Sequence, residues 1–232
     1  MNRWKTAASV AAMLVAFQQA NAETIIKLGL STDSLADIEL ISGELSTVDD
    51  GLGATAGDQN TEVTFLNSVL SAAGSQPFGG NNLSFTMGGV NLAGSPAMIG
   101  NSILQETTGG SFALYDTNNE LLLSATLGDG ILSGPVGGTA TGGFLTTEFG
   151  AFTGGSILTA YDLNLIDSSL SISLTDVNGG DGLSLTNDGQ VADFTADATA
   201  NIGASVAAPE PSSLSLFGLA LLCMAGIVRR RA

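Results

Sequence analysis

Residues 169–175 alternate without a break: Leu170, Ile172 and Leu174 stand between Ser169, Ser171, Ser173 and Thr175. Successive side chains of a strand point to opposite faces, so this segment makes a ribbon with one aliphatic face and one hydroxyl face. A helix would scatter the same three aliphatic residues around its axis. The pattern recurs. Leu83, Phe85 and Met87 alternate with Ser84 and Thr86, and Leu121, Leu123, Ala125 and Leu127 share one parity. Turn signals punctuate these runs at Gly88-Gly89, Asn118-Asn119, Gly128-Asp129-Gly130, Gly137-Gly138, Gly142-Gly143 and Asn178-Gly179-Gly180. Many short strands between glycine-rich turns predict a mostly-β fold, an antiparallel β-sandwich of the jelly-roll kind. The glycine content alone would suit a disordered chain, but the frequent, patterned apolar residues argue for a packed core.

One segment departs from the period of two. Over 62–73, Val63, Leu66, Val69 or Leu70, and Ala73 recur at helical spacing, with Asn60 or Thr61 available as a cap and Gly74 as a stop. This predicts one short helix near 62–73, covering part of a sheet. A weak internal echo is also present. Thr108-Gly109-Gly110-Ser111 leads to Tyr115-Asp116, and Thr153-Gly154-Gly155-Ser156 leads to Tyr161-Asp162. Each copy then runs on to a Gly-Asp-Gly, at 128–130 and 180–182. Two copies at unequal spacing are too few for a solenoid and suggest two similar strand-turn-strand units.

The ends of the chain carry a different kind of information. Arg3 and Lys5 precede an apolar run from Ala7 to Phe17, and Ala20-Asn21-Ala22 follows. Positive start, short apolar stretch and small-x-small site make a secretory signal peptide over 1–22, with Ala20 and Ala22 framing cleavage before Glu23. At the other end, Pro209-Glu210-Pro211 precedes an uncharged stretch over 212–228 and then Arg229-Arg230-Arg231. That stretch is at the short limit of a membrane-spanning helix, and the arginine cluster favours the cytoplasmic side. Both ends therefore place residues 23–208 outside the cytoplasm. A glycolipid-anchor signal fits poorly, because its apolar tail should not end in arginines.

Pro209-Glu210-Pro211, the apolar span and the arginines together resemble the PEP-CTERM sorting signal of Gram-negative bacteria, over residues 209–232. The resemblance implies that exosortase, a membrane-embedded cysteine transpeptidase, recognises this tail and cuts near the Pro-Glu-Pro motif. Pro209, Glu210 and Pro211 would then be recognition elements, and the inner membrane a transient anchor. It also implies a destination: the cell surface or extracellular matrix, often in bacteria that make exopolysaccharide and biofilm. The prolines suit that role physically, since they hold the segment extended and keep a helix from continuing upstream.

Charge and residue types bound what the exported body can do. Between 23 and 208 the only basic residue is Lys27, against 21 acidic ones. With no basic patch, nucleic acid is excluded as a partner and anionic lipid headgroups are repelled. Neutral sugars and metal cations are the natural attractions. The chain has no histidine, and its one cysteine, Cys223, lies in the apolar span. A Ser-His-Asp triad, a thiol nucleophile in the body and zinc sites built on His or Cys are therefore ruled out. Carboxylate pairs of the glycosidase kind are always available in so acidic a chain, which makes them unspecific, and no catalytic residue is assigned.

Calcium is the one ion the sequence approaches. Asp176, Asn178 and Asp181 lie within Asp176-Val177-Asn178-Gly179-Gly180-Asp181-Gly182, a run dense in oxygen ligands. The EF-hand spacing is missed there by one position. Asp116, Asn118 and Glu120 have that spacing, but Leu121 stands in the glycine position and Leu127 in that of the bidentate Glu. Asp and Asn also favour turns for their own reasons. The expectations are thus an exported, non-enzymatic surface or matrix protein, structural or adhesive in exopolysaccharide, with a calcium-dependent carbohydrate-binding module as the alternative.

Overall fold

The computed structural model describes residues 23–31, 35–66, 83–137, 142–161 and 165–206. Ala22–Ser205 form one compact unit. Its strands are β1 (Glu23–Gly29), β2 (Ile38–Ile41), β3 (Glu44–Thr47), β4 (Asp58–Phe65), β5 (Leu83–Gly88) and β6 (Val90–Ile99). They continue as β7 (Ser102–Thr108), β8 (Ser111–Tyr115), β9 (Leu121–Pro135), β10 (Gly143–Gly154), β11 (Leu165–Thr175) and β12 (Phe194–Val206). Among the described residues there is one short α-helix, α1 (Ser156–Tyr161), which follows β10.

All twelve strands belong to one antiparallel sheet, and that sheet closes on itself twice. The four longest strands, β9, β10, β11 and β12, lie side by side. One circuit runs from β12 through β1, β4, β5 and β8 to β9. A second runs from β12 through β2, β3, β6 and β7 back to β9. Both circuits share β9 and β12 because each of these is long enough to serve two partners. The first half of β12 pairs with β2 (Phe194 opposite Leu40) and the second half with β1 (Ala200 opposite Leu28). The first half of β9 pairs with β8 (Leu123 opposite Leu114) and the second half with β7 (Gln105 opposite Leu132). Closure matters because an open sheet edge exposes unpaired N–H and C=O groups that invite aggregation.

The inward parity is the one read from the alternation. Leu83, Phe85 and Met87 are buried, as are Leu123, Ala125 and Leu127, and Leu170, Ile172 and Leu174. Burying an aliphatic side chain of this size stabilises by roughly 1.5–3 kcal/mol. On β12 the core positions are Phe194, Ala196, Ala198, Ala200, Ile202 and Ala204, mostly small side chains after the first.

Two buried acids tie loops to this frame. Asp58 Oδ2 accepts hydrogen bonds from the Ser31 amide at 2.9 Å and the Thr61 hydroxyl at 3.1 Å. Asp37 Oδ2 accepts one from the Ala198 amide, while the Asp37 amide donates to the Ala196 carbonyl. The two bonds dock the start of β2 against the middle of β12.

Three sequence expectations are corrected. The first turn of the helix near 62–73 is strand: Glu62–Phe65 close β4, paired with β1 through Leu28 opposite Val63, and the rest of that segment from 67 onward lies outside the described residues. Asp58 and Thr61 turn to the core while Glu62 and Thr64 face out, and Thr61, Val63 and Thr64 are β-branched, so a strand held between β1 and β5 prevails over weak helical spacing. Gly128-Asp129-Gly130 is not a turn between strands; it lies inside β9, at the point where that strand exchanges β8 for β7. There a Cβ on Gly130 would lie 2.6 Å from the Thr146 carbonyl oxygen and 2.7 Å from Thr107 Oγ1, so only glycine lets β7 and β10 close on β9. Finally, the two echo copies differ in structure. Ser111–Tyr115 is strand β8 and Ser156–Tyr161 is helix α1. The first half of β9 already has β8 on one side and β10 on the other, so no pairing site remains for the second copy.

Candidate functional site

β10 is the least regular strand of the shared group. It pairs with β11 from Gly143 opposite Leu174 to Glu148 opposite Ser169, where the paired register ends. Its pairing with β9 continues to Gly154 opposite Ser124, but with register shifts between Thr147 and Phe149, Phe149 and Ala151, and Phe152 and Gly154. Each shift bends the strand and increases its twist, as β-bulges do. On the β9 side β10 is held firmly: the Thr126 hydroxyl donates to the Ala151 carbonyl at 3.4 Å, and Ser124 Oγ and Thr153 Oγ1 lie 2.8 Å apart. A Cβ on Gly150 would lie 2.9 Å from Thr126 Oγ1, so glycine allows that close approach.

The bend opens a cleft of about 420 Å³ between β10 and β11, lined by Glu148, Phe149, Gly150, Ala151, Phe152, Ser168 and Ser169. That volume lies within the range of small-molecule sites, about 300–1,000 Å³. Its aromatic wall is the outer end of a row of rings. Phe85 in the core lies 5.9 Å from Phe112, Phe112 lies 5.2 Å from Phe149, and Phe149 meets Phe152 edge to face at 5.1 Å. Phe85 and Phe112 are buried, whereas Phe149 and Phe152 are half-exposed at the cleft. The row therefore fixes the outer rings from behind. Glu148, Ser168 and Ser169 complete the polar part of the lining. Glu148 is the one acid among the described lining residues. The site offers flat apolar surface with hydroxyl and carboxylate hydrogen-bonding groups beside it.

None of these residues was marked as a site by sequence alone, although one signal was available. Leu145 and Thr147 keep the period of two, and then Phe149 and Phe152 fall three apart, a phase slip that strand bulging produces. The residues marked at the chain ends, Ala20, Ala22, Pro209, Glu210, Pro211, Arg229, Arg230 and Arg231, lie outside the described residues. So does the apolar span over 212–228; among the described residues no helix is long and apolar enough to cross a membrane.

The calcium candidates fall in one tight turn. Asp176 and Asn178 both take left-handed backbone angles (φ 50° and 51°), and Val177–Gly180, which include Asn178, form a 3₁₀ turn between Asp176 and Asp181. The Asn178 side-chain amide donates to the Gly182 carbonyl at 3.2 Å, so it serves the turn itself. Asp176 and Asp181 are exposed. Among the described residues no three Asp or Glu side chains gather as a metal cage. The second near-match, 116–120, is likewise occupied with its own loop. Asp116 Oδ1 accepts from the amides of Asn118 and Glu120, each at 2.8 Å. The Glu120 amide bond is the main cause that holds the Asp116 carboxyl below its usual range; partial burial opposes it, and the bonds from Asn118 add to the lowering.

Comparison with known proteins locates one short motif. Residues 207–231 match the model of the PEP-CTERM protein-sorting motif. No curated protein and no solved structure matches the chain. The motif indicates an exported protein sorted by exosortase, a membrane protein, from a membrane-anchored precursor.

Proposed function

We propose that this chain, sorted by exosortase through its PEP-CTERM motif at 207–231, serves after sorting as a non-enzymatic structural and adhesive component of the cell surface or extracellular matrix, in contact with exopolysaccharide. The supporting observation is the kind of body that the motif follows: an antiparallel sheet closed through β9 and β12, with an acidic, hydroxyl-rich exterior. Closure protects the sheet from edge-to-edge aggregation, and net negative charge keeps copies apart, so the body can be crowded at a surface without fusing. Thr195, Asp197 and Thr199 on β12 face outward, and Ser169, Ser171 and Ser173 on β11 share the parity opposite to the core, a surface that hydrogen-bonds well to neutral sugars.

The sorting step is tested by replacing Pro209, Glu210 and Pro211 with alanine in the native host and fractionating the cells. Retention of the variant in the membrane is expected, and release at the wild-type level would refute exosortase recognition of this tail. Mass spectrometry of the released protein should show a C-terminus near Pro209; a chain intact through Ala232 would count against cleavage. The adhesive role predicts that a deletion strain retains less polysaccharide at its surface, and unchanged retention would remove that role. Hydrolysis of a polysaccharide by the purified protein would overturn the non-enzymatic reading. A second reading, a calcium-dependent carbohydrate module, is favoured by one observation: Asp176, Asn178 and Asp181 share a single turn whose two aspartates are exposed. Isothermal titration with millimolar calcium tests it, and a flat trace would end it.

A further inference from the structure

We infer that the cleft between β10 and β11 is a binding site for an uncharged glycan, with a sugar ring seated on Phe152 and its hydroxyl groups bonded to Glu148, Ser168 and Ser169. This deepens the adhesive reading and rests on it for its biological setting, while binding itself is measured apart from sorting.

Four observations converge on that ligand class. First, the cleft combines half-exposed aromatic surface with hydroxyl and carboxylate groups, and a sugar ring presents both an apolar C–H face and a rim of hydroxyls. Second, the aromatic wall is preorganised. Phe152 rests edge to face on Phe149, which leans on buried Phe112 and Phe85, so little rotamer freedom remains to be lost when a ligand stacks. Third, charge selects against anions. Glu148 is exposed at the site, no basic residue lines it, and the body carries only Lys27 among its positive side chains. A uronate, a sulfated sugar or a phosphate would be repelled, whereas a neutral sugar hydroxyl can donate to the carboxylate in a charge-assisted hydrogen bond. Fourth, the cleft lies where the register described between β10 and β11 reaches its last pair, Glu148 opposite Ser169, and both of these residues line it. The stretch of β10 beyond that pair is also short: β10 ends at Gly154 and α1 follows at Ser156, which suits a compact ligand better than an added strand.

The test uses the full chain, purified in a detergent without a sugar headgroup, against an array of neutral hexose oligosaccharides. Isothermal titration follows with the oligosaccharide bound best. Phe152→Ala is expected to weaken binding at least about tenfold, the scale of a lost aromatic stacking contact. Ser169→Ala is expected to weaken it several-fold. Phe144→Ala, which removes an exposed aromatic from the same strand outside the cleft, should leave binding unchanged, and circular dichroism confirms that each variant keeps its β signal. Glu148→Gln should relax the bias against anionic sugars while retaining neutral binding. No binding anywhere on the array, or binding that survives both Phe152→Ala and Ser169→Ala, overturns the assignment. Binding abolished by a chelator would also overturn it, because the assignment uses the carboxylate without a metal ion, and would move the site to the turn at 176–181.

Discussion

Gly154 and Gly155 are neighbours in the chain with opposite structural demands, and substituting each by alanine isolates one physical effect. Gly155 has φ +120°, and a Cβ there would lie 2.2 Å from the Leu122 carbonyl oxygen, 2.5 Å from its carbon and 2.6 Å from Leu123 Cα. All three atoms are backbone of β9, which is held by β8 and β10 on its two sides and cannot yield cheaply. An unfavourable positive φ costs an alanine about 1–3 kcal/mol. Forcing a methyl group into packed surroundings adds about 1–3 kcal/mol. Gly155→Ala should therefore destabilise by about 2–6 kcal/mol, which for a domain of this size lowers Tm by roughly 4–24 °C. At Gly154 the nearest atoms to a new Cβ are Leu121 Cδ2 at 3.5 Å and Ser124 Oγ at 3.6 Å, ordinary contact distances, and φ is not positive. Gly154→Ala should be neutral or slightly stabilising, by up to about 1 kcal/mol, since it also reduces the freedom of the unfolded chain. Urea unfolding followed by far-ultraviolet circular dichroism measures both, with the midpoint moving and the slope unchanged. Equal effects from the two substitutions, or a neutral Gly155→Ala, would refute the close approach of α1's entry to β9.

Other predictions follow from the same reasoning. Phe112→Ala removes a buried ring between Phe85 and Phe149; unfolding by urea should show a loss of about 3–5 kcal/mol. Asp58→Ala deprives the Ser31 amide and the buried Thr61 hydroxyl of an acceptor, and a loss of about 1–3 kcal/mol is expected in the same assay. Asp116→Asn probes pH dependence. Because the Asp116 carboxyl is lowered in the folded state, its contribution is present above the unfolded value of about 3.9 and disappears as pH falls through the folded one. Wild type should thus exceed the variant in stability at neutral pH, and the gap should close in acid; a gap that widened there would contradict the assignment.

Much of the fold was legible in the chain because its decisive signals are local. A period of two over 83–87, 121–127 and 169–175 states which side chains face inward, and the structure buries that parity except at the start of β9, where a register shift buries Leu122 and leaves Leu121 half-buried. Glycine and asparagine pairs state where strands end, as at Gly89 and Asn119, both with positive φ. The sorting motif was legible for the same reason: it is a short linear signal, matched over residues 207–231.

Tertiary structure alone decided which strand meets which. The residues of β9 do not say that it will serve β8 with its first half and β7 with its second, because that depends on distant strands competing for its edges. The same competition makes helix of Ser156–Tyr161 where the similar Ser111–Tyr115 is strand, and strand of 62–65 where spacing suggested helix. It also creates the cleft, since β10 bends away from β11 only after Glu148, under bulges set by its pairing with β9. Alternation, a property of neighbours in sequence, thus determines that this chain forms strands and which faces they bury. Closure of those strands into two circuits around β9 and β12 depends on contacts between residues far apart in the chain, and those contacts place Phe149 and Phe152 beside Ser168 and Ser169.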